Sequence, residues 1–266
     1  MLLSLLRPFN AFAGVRGQPA GSGGDPVTAT HKEGSSHGFV ILKDASGKLI
    51  AVGDQVTITR GSEVRSRLVI RFRDGSIDDD RTVFTQGKVL QLITDHHIQK
   101  GPSFKQPLDQ EINVRAGTVT WHEFKDGKDQ VNTEHMDLPP DLVNGMISDA
   151  LKNFPANAAE MKVAYIAGSK PRIVHLSIKP DGEDPFYVAG IRHRARRYNI
   201  HIDIGGVAGV VAPVIGKQPP DIKMWLMDGE VPTFLKMEGE LDQQGPIWTM
   251  ELASPSWPSA SQNRSK

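Results

Sequence analysis

Val64-Arg-Ser-Arg-Leu-Val-Ile-Arg-Phe-Arg73 alternates apolar and cationic residues along most of its length. Leu68, Ile70 and Phe72 fall on one side of an extended chain, and Arg65, Arg67, Arg71 and Arg73 fall on the other. That period of two predicts a β-strand with one face in a core and one in water. The stretch runs into Asp74-Gly-Ser-Ile-Asp-Asp-Asp80, whose Asp-Gly predicts a turn. Two more strand-like runs follow, over residues 82–85 and 89–93, before Asp95-His96-His97. The acidic run lies just past the turn, where its aspartates can neutralise the arginines across strands.

Outward from this block the same pattern repeats. Hairpin and strand signals recur from Gly38 to Leu252, with Asp-Gly at 126–127, 181–182 and 228–229 read as turns. One segment breaks the period. Over residues 139–154, Leu142, Met146, Ile147, Ala150 and Leu151 recur at helical spacing, with prolines at both ends, so a helix is predicted there. About thirteen strands around one helix predict a mainly β protein: a large, strongly curved antiparallel sheet or half-barrel. The expected organisation is a possible signal peptide and flexible lead-in over residues 1–36, a single β-rich domain over 37–254, and a disordered tail over 255–266.

Composition narrows the function classes. Lys+Arg and Asp+Glu number 31 each, so a net charge of zero removes the electrostatic case for nucleic acid as the main partner. The absence of cysteine excludes disulfides, thiolate metal sites and cysteine nucleophiles. No apolar run is long enough for a membrane-spanning helix. Met1-Leu-Leu-Ser-Leu-Leu6 with Ala11-Phe12-Ala13 has the outline of a short export signal, so a periplasmic or secreted location is expected, with the cytoplasm as the alternative.

Candidate chemistry is sparse. Asp95, His96, His97 and His201 form the one candidate polar site, although strand alternation should turn His96 and His97 to opposite faces and so deny them a shared metal ion. No metal, cofactor or catalytic residue is assigned. His201 shares a polar strand face with Arg197 and Asp203, which reads as a surface pair. The Gly- and Val-rich stretch 205–216 superficially resembles a phosphate loop. It has six residues between Gly209 and Gly216, no hydroxyl residue after Lys217, and Pro219-Pro220 where a helix should start. It reads instead either as an apolar loop at a barrel rim or as a buried connection. On the rim reading, Gly209, Val211, Pro213 and Ile215, with Trp225 and Met227 of a methionine- and tryptophan-bearing sheet, are candidate ligand contacts.

The phrases Phe72-Arg-Asp-Gly-Ser-Ile77, Asp95-His-His-Ile-Gln-Lys-Gly-Pro-Ser-Phe104, His135-Met-Asp-Leu-Pro-Pro-Asp-Leu-Val-Asn-Gly145 and Gly216-Lys-Gln-Pro-Pro-Asp221 resemble a family of uncharacterised exported bacterial β-sheet proteins. The leucine–proline helix start and the closing pattern, Trp225-x-x-Asp-Gly-x-x-Pro232 then Gly245-x-x-Trp248, resemble a broader set of periplasmic β-sheet proteins of unknown function, which are similar in outline to the half-barrel lipoprotein carriers and receptors LolA and LolB. The resemblance implies a concave sheet that binds a lipid or other apolar or amphipathic small molecule, without catalysis. It supplies no catalytic residue, and a lipobox cysteine is missing. The alternatives are a hydrolase-type enzyme using the Asp95/His site, and an envelope structural or interaction module.

Overall fold

The computed structural model describes residues 24–125, 128–188, 191–204 and 218–253. The export-signal candidate at residues 1–13, the tail from residue 254, and Gly209, Val211, Pro213 and Ile215 lie outside them.

Fourteen strands form one continuous antiparallel sheet. In chain order they are β1 (Ser36–Lys43), β2 (Leu49–Arg60), β3 (Glu63–Phe72), β4 (Ile77–Gln86), β5 (Leu90–Lys100), β6 (Leu108–Asn113), β7 (Thr118–Lys125) and β8 (Lys128–His135). After a short helix α1 (Ile147–Lys152) come β9 (Met161–Ala167), β10 (Arg172–Val188), β11 (Ile191–Asp203), β12 (Ile222–Met227), β13 (Thr233–Glu240) and β14 (Ile247–Leu252). The spatial order is β8 to β1 and then β14 to β9, so two runs of hairpins are joined where β1 pairs with β14. The last strand thus lies beside the first, while β8 and β9 are the two edges of the described sheet.

The sheet curls onto itself. Val64, Phe84, Leu92, Ile112 and Val119 from the first half share one buried cluster with Val163, Leu176, Ile178, Ile200 and Leu226 from the second, and with Met146, Ala150 and Leu151 around the helix. Strands so far apart in sheet order can meet in one core only if they face each other across a concavity. A second cluster, built on Leu42, Ile70, Phe72, Phe104, Trp248 and Met250, fills the region near the β1–β14 seam. The mainly β, strongly curved architecture expected from the alternation is what forms.

β3 carries that alternation, broken only at Val69, which is buried on the arginine side. Val64, Ile70 and Phe72 are buried, while Arg65, Arg67 and Arg71 project outward. The outer charges pair as Arg67 and Arg81 on Asp79, Arg65 on Glu63, and Arg71 on Asp54. The acidic run departs from its expected role, however. The run does follow a turn, at residues 73–76, but β4 begins at Ile77, so Asp78-Asp79-Asp80 lies inside a strand and its side chains alternate. Only Asp79 reaches the arginines; Asp78 and Asp80 share the inward face with Thr82 and buried Phe84. Asp181-Gly182 is also no hairpin turn. It sits in the middle of β10, where a register shift between Pro180 and Glu183 absorbs the two residues as a bulge and Gly182 takes a φ of +99°.

The helix predicted over residues 139–154 contracts to Ile147–Lys152. Sheet pairing outcompetes helix over its first half. Leu142 bridges Ala164 in parallel, with Val143 N–H donating to the Ala164 carbonyl (3.0 Å) and Ala164 N–H to that of Asp141 (3.2 Å). Asn144 continues the edge with its side chain, donating to Ile166 O (2.9 Å) and accepting from Ile166 N (2.8 Å). Residues 141–144 therefore satisfy the open edge of β9, which would otherwise expose unpaired backbone groups. Gly145 then turns the chain into α1 at φ +67°, a conformation natural to glycine.

Residues 24–35 are fastened to the fold. Val27 is buried in the main core, Thr28 bridges Val89, and Asn153 exchanges two hydrogen bonds with the backbone of His31 (2.6 and 3.1 Å). Lys152 holds Glu33 at 2.8 Å and Asp149 at 3.3 Å. No helix among the described residues is long and apolar enough to cross a membrane.

Candidate functional site

Antiparallel register assembles a polar floor inside the concavity. Asp78 pairs across with Gln99, Asp80 with His97, and Thr82 with Asp95, all on the inward face of β4 and β5. His97 Nε2 meets Asp78 Oδ1 at 2.8 Å, and Gln99 Nε2 donates to the other Asp78 oxygen at 3.0 Å. Thr82 Oγ1 donates to Asp95 Oδ1 at 3.0 Å. Gly145 passes directly over this last pair: a Cβ there would overlap Thr82 Oγ1 and Asp95 Oδ1. The tight turn that starts α1 therefore seals one side of the floor.

Charge at the floor is set by burial against neighbours. Burial disfavours a charged His97, but the carboxylate of Asp78, with Asp80 and Asp95 behind it, outweighs that cost and raises the imidazole to about 10. His97 is thus an imidazolium at neutral pH. Burial pushes Asp95 well above the ordinary carboxylate range, and the neighbouring charge of Asp80 pushes it further. Asp80 is raised in turn, chiefly by its own burial. The two buried carboxyls resist ionising together, because each one's charge raises the cost of the other's. Burial and the charges of Asp95 and Asp80 also hold Tyr165 in its phenol form.

Beside this floor lies a cavity of about 200 Å³. Asp95, His97, Gln99 and Gln110 border it on one side. Its apolar walls come from both ends of the sheet and from the helix: Leu108 of β6, Ile147 of α1, Tyr165 and Ile166 of β9, Leu176 of β10, Ile202 of β11 and Ile222 of β12. Gln110 Nε2 reaches across to Gly168 O (3.2 Å), tying β6 to the β9–β10 turn at the rim. Ile204, Pro219 and Pro220, which flank the stretch 205–217, border the cavity, as do Arg172 and residues 240–243.

The four polar candidates do not gather at one point. Asp95 and His97 stand together at the floor, whereas His96 faces the other side of β5, 2.9 Å from Asp109. His201 is on the outside of β11, bound to Asp221 at 2.7 Å. Among the described residues no three His, Asp or Glu side chains take up an arrangement that could hold a metal ion. Trp225 and Met227 are likewise away from the cavity lining. Trp225 donates through Nε1 to Asp184 Oδ2 (2.7 Å), and Lys236 Nζ lies 3.9 Å from its ring centroid. The residues that the sequence did not single out, Asp78, Asp80, Gln99 and Gln110, were reachable by one step: carrying the alternation of Phe84 back along β4 puts Asp80 and Asp78 on the core face.

No family model matches the chain, and no curated protein matches it. Among solved structures it is similar to a crystal structure described as a β-barrel-like protein of domain of unknown function DUF1849 from Brucella abortus, at 10% sequence identity, over 84% of this chain and 97% of that chain, with a TM-score of 0.43.

Proposed function

We propose that this protein is an exported binding protein for a small amphipathic molecule, held in the concavity of the sheet. The observation that carries the reading is the cavity itself: about 200 Å³, walled by apolar side chains from both ends of one curved sheet, with a hydrogen-bonding floor at one side. An apolar cavity of roughly 150 Å³ suffices for a benzene ring, so this one suits a single ring or a short alkyl chain with a polar end. The export half of the proposal rests on the short apolar run of residues 1–6 and on Ala11-Phe12-Ala13.

The test is an NMR titration with 1-hexanol as probe. Saturable shifts are expected at Ile147, Tyr165, Leu176 and Ile202, and they should vanish in Leu108→Trp, whose indole would fill the cavity. Trp225→Phe, on the outer face, should bind as the wild type does. Shifts centred on Trp225 or Met227, or unchanged binding in Leu108→Trp, would overturn the reading.

A further inference from the structure

One group at the cavity is unexplained by the fold. Asp242, in the β13–β14 turn, borders the cavity, is only 6% exposed, and has neither carboxylate oxygen in a hydrogen bond. The backbone amides of Lys105 and of Asp242 itself lie close enough to favour its charge in part, but neither makes a bond of ordinary geometry. Two bare oxygens on a buried carboxylate are costly if nothing ever meets them. The position is also built for: a Cβ at residue 245 would overlap Asp242 Oδ1, so only glycine at 245 lets the carboxylate lie where it does.

The surroundings add negative charge. Glu240 borders the same cavity, and burial with the neighbouring charge of Asp242 raises its pKa. Asp242 is raised too, by burial first and by Asp78 among its neighbours. Lys105 favours the charge of Asp242 from nearby without forming an ion pair with it, and the two cationic side chains at the cavity do not compensate further. His97 is committed to Asp78 at 2.8 Å, and Arg172 is a long, half-buried side chain that can turn its guanidinium into water. A fixed, dry acceptor pair beside an apolar wall is what a cationic donor needs, because a charge-assisted hydrogen bond gains most where water is excluded.

We propose that the cavity selects amphipathic molecules whose polar end is a cationic hydrogen-bond donor, a primary ammonium or an amidinium, received by Asp242 with Glu240 beside it. This rests on the cavity being a binding site, as proposed above.

Three probes of one chain length separate the two claims: hexylammonium, 1-hexanol and hexanoate, titrated by NMR at pH 7.5. Hexylammonium is expected to bind at least about tenfold tighter than 1-hexanol, and hexanoate weakest. Asp242→Asn should bring hexylammonium to within about twofold of the alcohol. If that variant does not fold, Glu240→Gln should reduce the preference by at least about threefold. Ammonium and alcohol binding equally, hexanoate binding best through Arg172, or an unchanged preference in the folded variants overturns the cationic assignment and leaves the cavity reading intact. No binding of any probe, or equal binding in Leu108→Trp, overturns both.

Discussion

Replacing His97 by Gln tests the electrostatics of the floor most directly. The imidazolium meets Asp78 Oδ1 at 2.8 Å and keeps its proton up to about pH 10, against about 6.5 for the unfolded chain. At about 1.4 kcal/mol per pH unit, that difference corresponds to roughly 5 kcal/mol. This is an upper limit, because part of it comes from the charges of Asp80 and Asp95, whose own ionisation burial disfavours. Removing one member of a buried pair typically costs about 3–5 kcal/mol. Gln can still donate to Asp78, and Gln99 continues to do so, which reduces the loss to about 2–4 kcal/mol at pH 7. The sign follows from the raised pKa. The folded state holds the proton more tightly, so the stabilisation is complete below about pH 6.5 and is lost as pH rises through about 10. Urea unfolding followed by tryptophan fluorescence, at steps from pH 6 to pH 10.5, gives the gap between wild type and His97→Gln. It should be largest at pH 6 and shrink to about 1 kcal/mol or less by pH 10.5. Lysine and tyrosine titration affects both proteins alike and cancels. A gap that stays constant across this range would refute the charged His97–Asp78 pair.

Gly145→Ala should be among the most damaging small changes. It places a methyl group on Thr82 Oγ1 and Asp95 Oδ1 at a φ of +67°, and a loss of about 3 kcal/mol or more is expected by calorimetry or urea unfolding. On the outer face, Arg67 first and Arg81 with it hold the Asp79 carboxyl well below the usual carboxylate range. Because both guanidinium groups are about half exposed, Asp79→Ala should cost only about 1 kcal/mol at pH 7. A depressed pKa gives stability that is present above the unfolded value of 3.8 and lost as pH falls, so the variant's acid transition should be the shallower one by circular dichroism.

What the sequence by itself determined is the local periodicity. The alternation of Leu68, Ile70 and Phe72 with the arginines established a half-buried strand, and its repetition along the chain established a curved antiparallel sheet. Side chains on a strand alternate regardless of partner, so this information is present in any ten consecutive residues. The same rule separated His96 from His97. The rule holds in the acidic run as well, where β4 starts at Ile77 and alternation sends Asp78 and Asp80 inward. Tertiary structure decided everything that depends on residues meeting from afar. Residues 139–144 carry a helical pattern, yet the vacant edge of β9 offered backbone partners that a helix start could not, and the edge won. Asp242 is about 140–165 positions from Asp78 and Asp95, and the cavity walls come from opposite ends of the sheet. Proximity of that kind arises from how far the sheet curls, which is set by summed twist and core packing and by no local pattern.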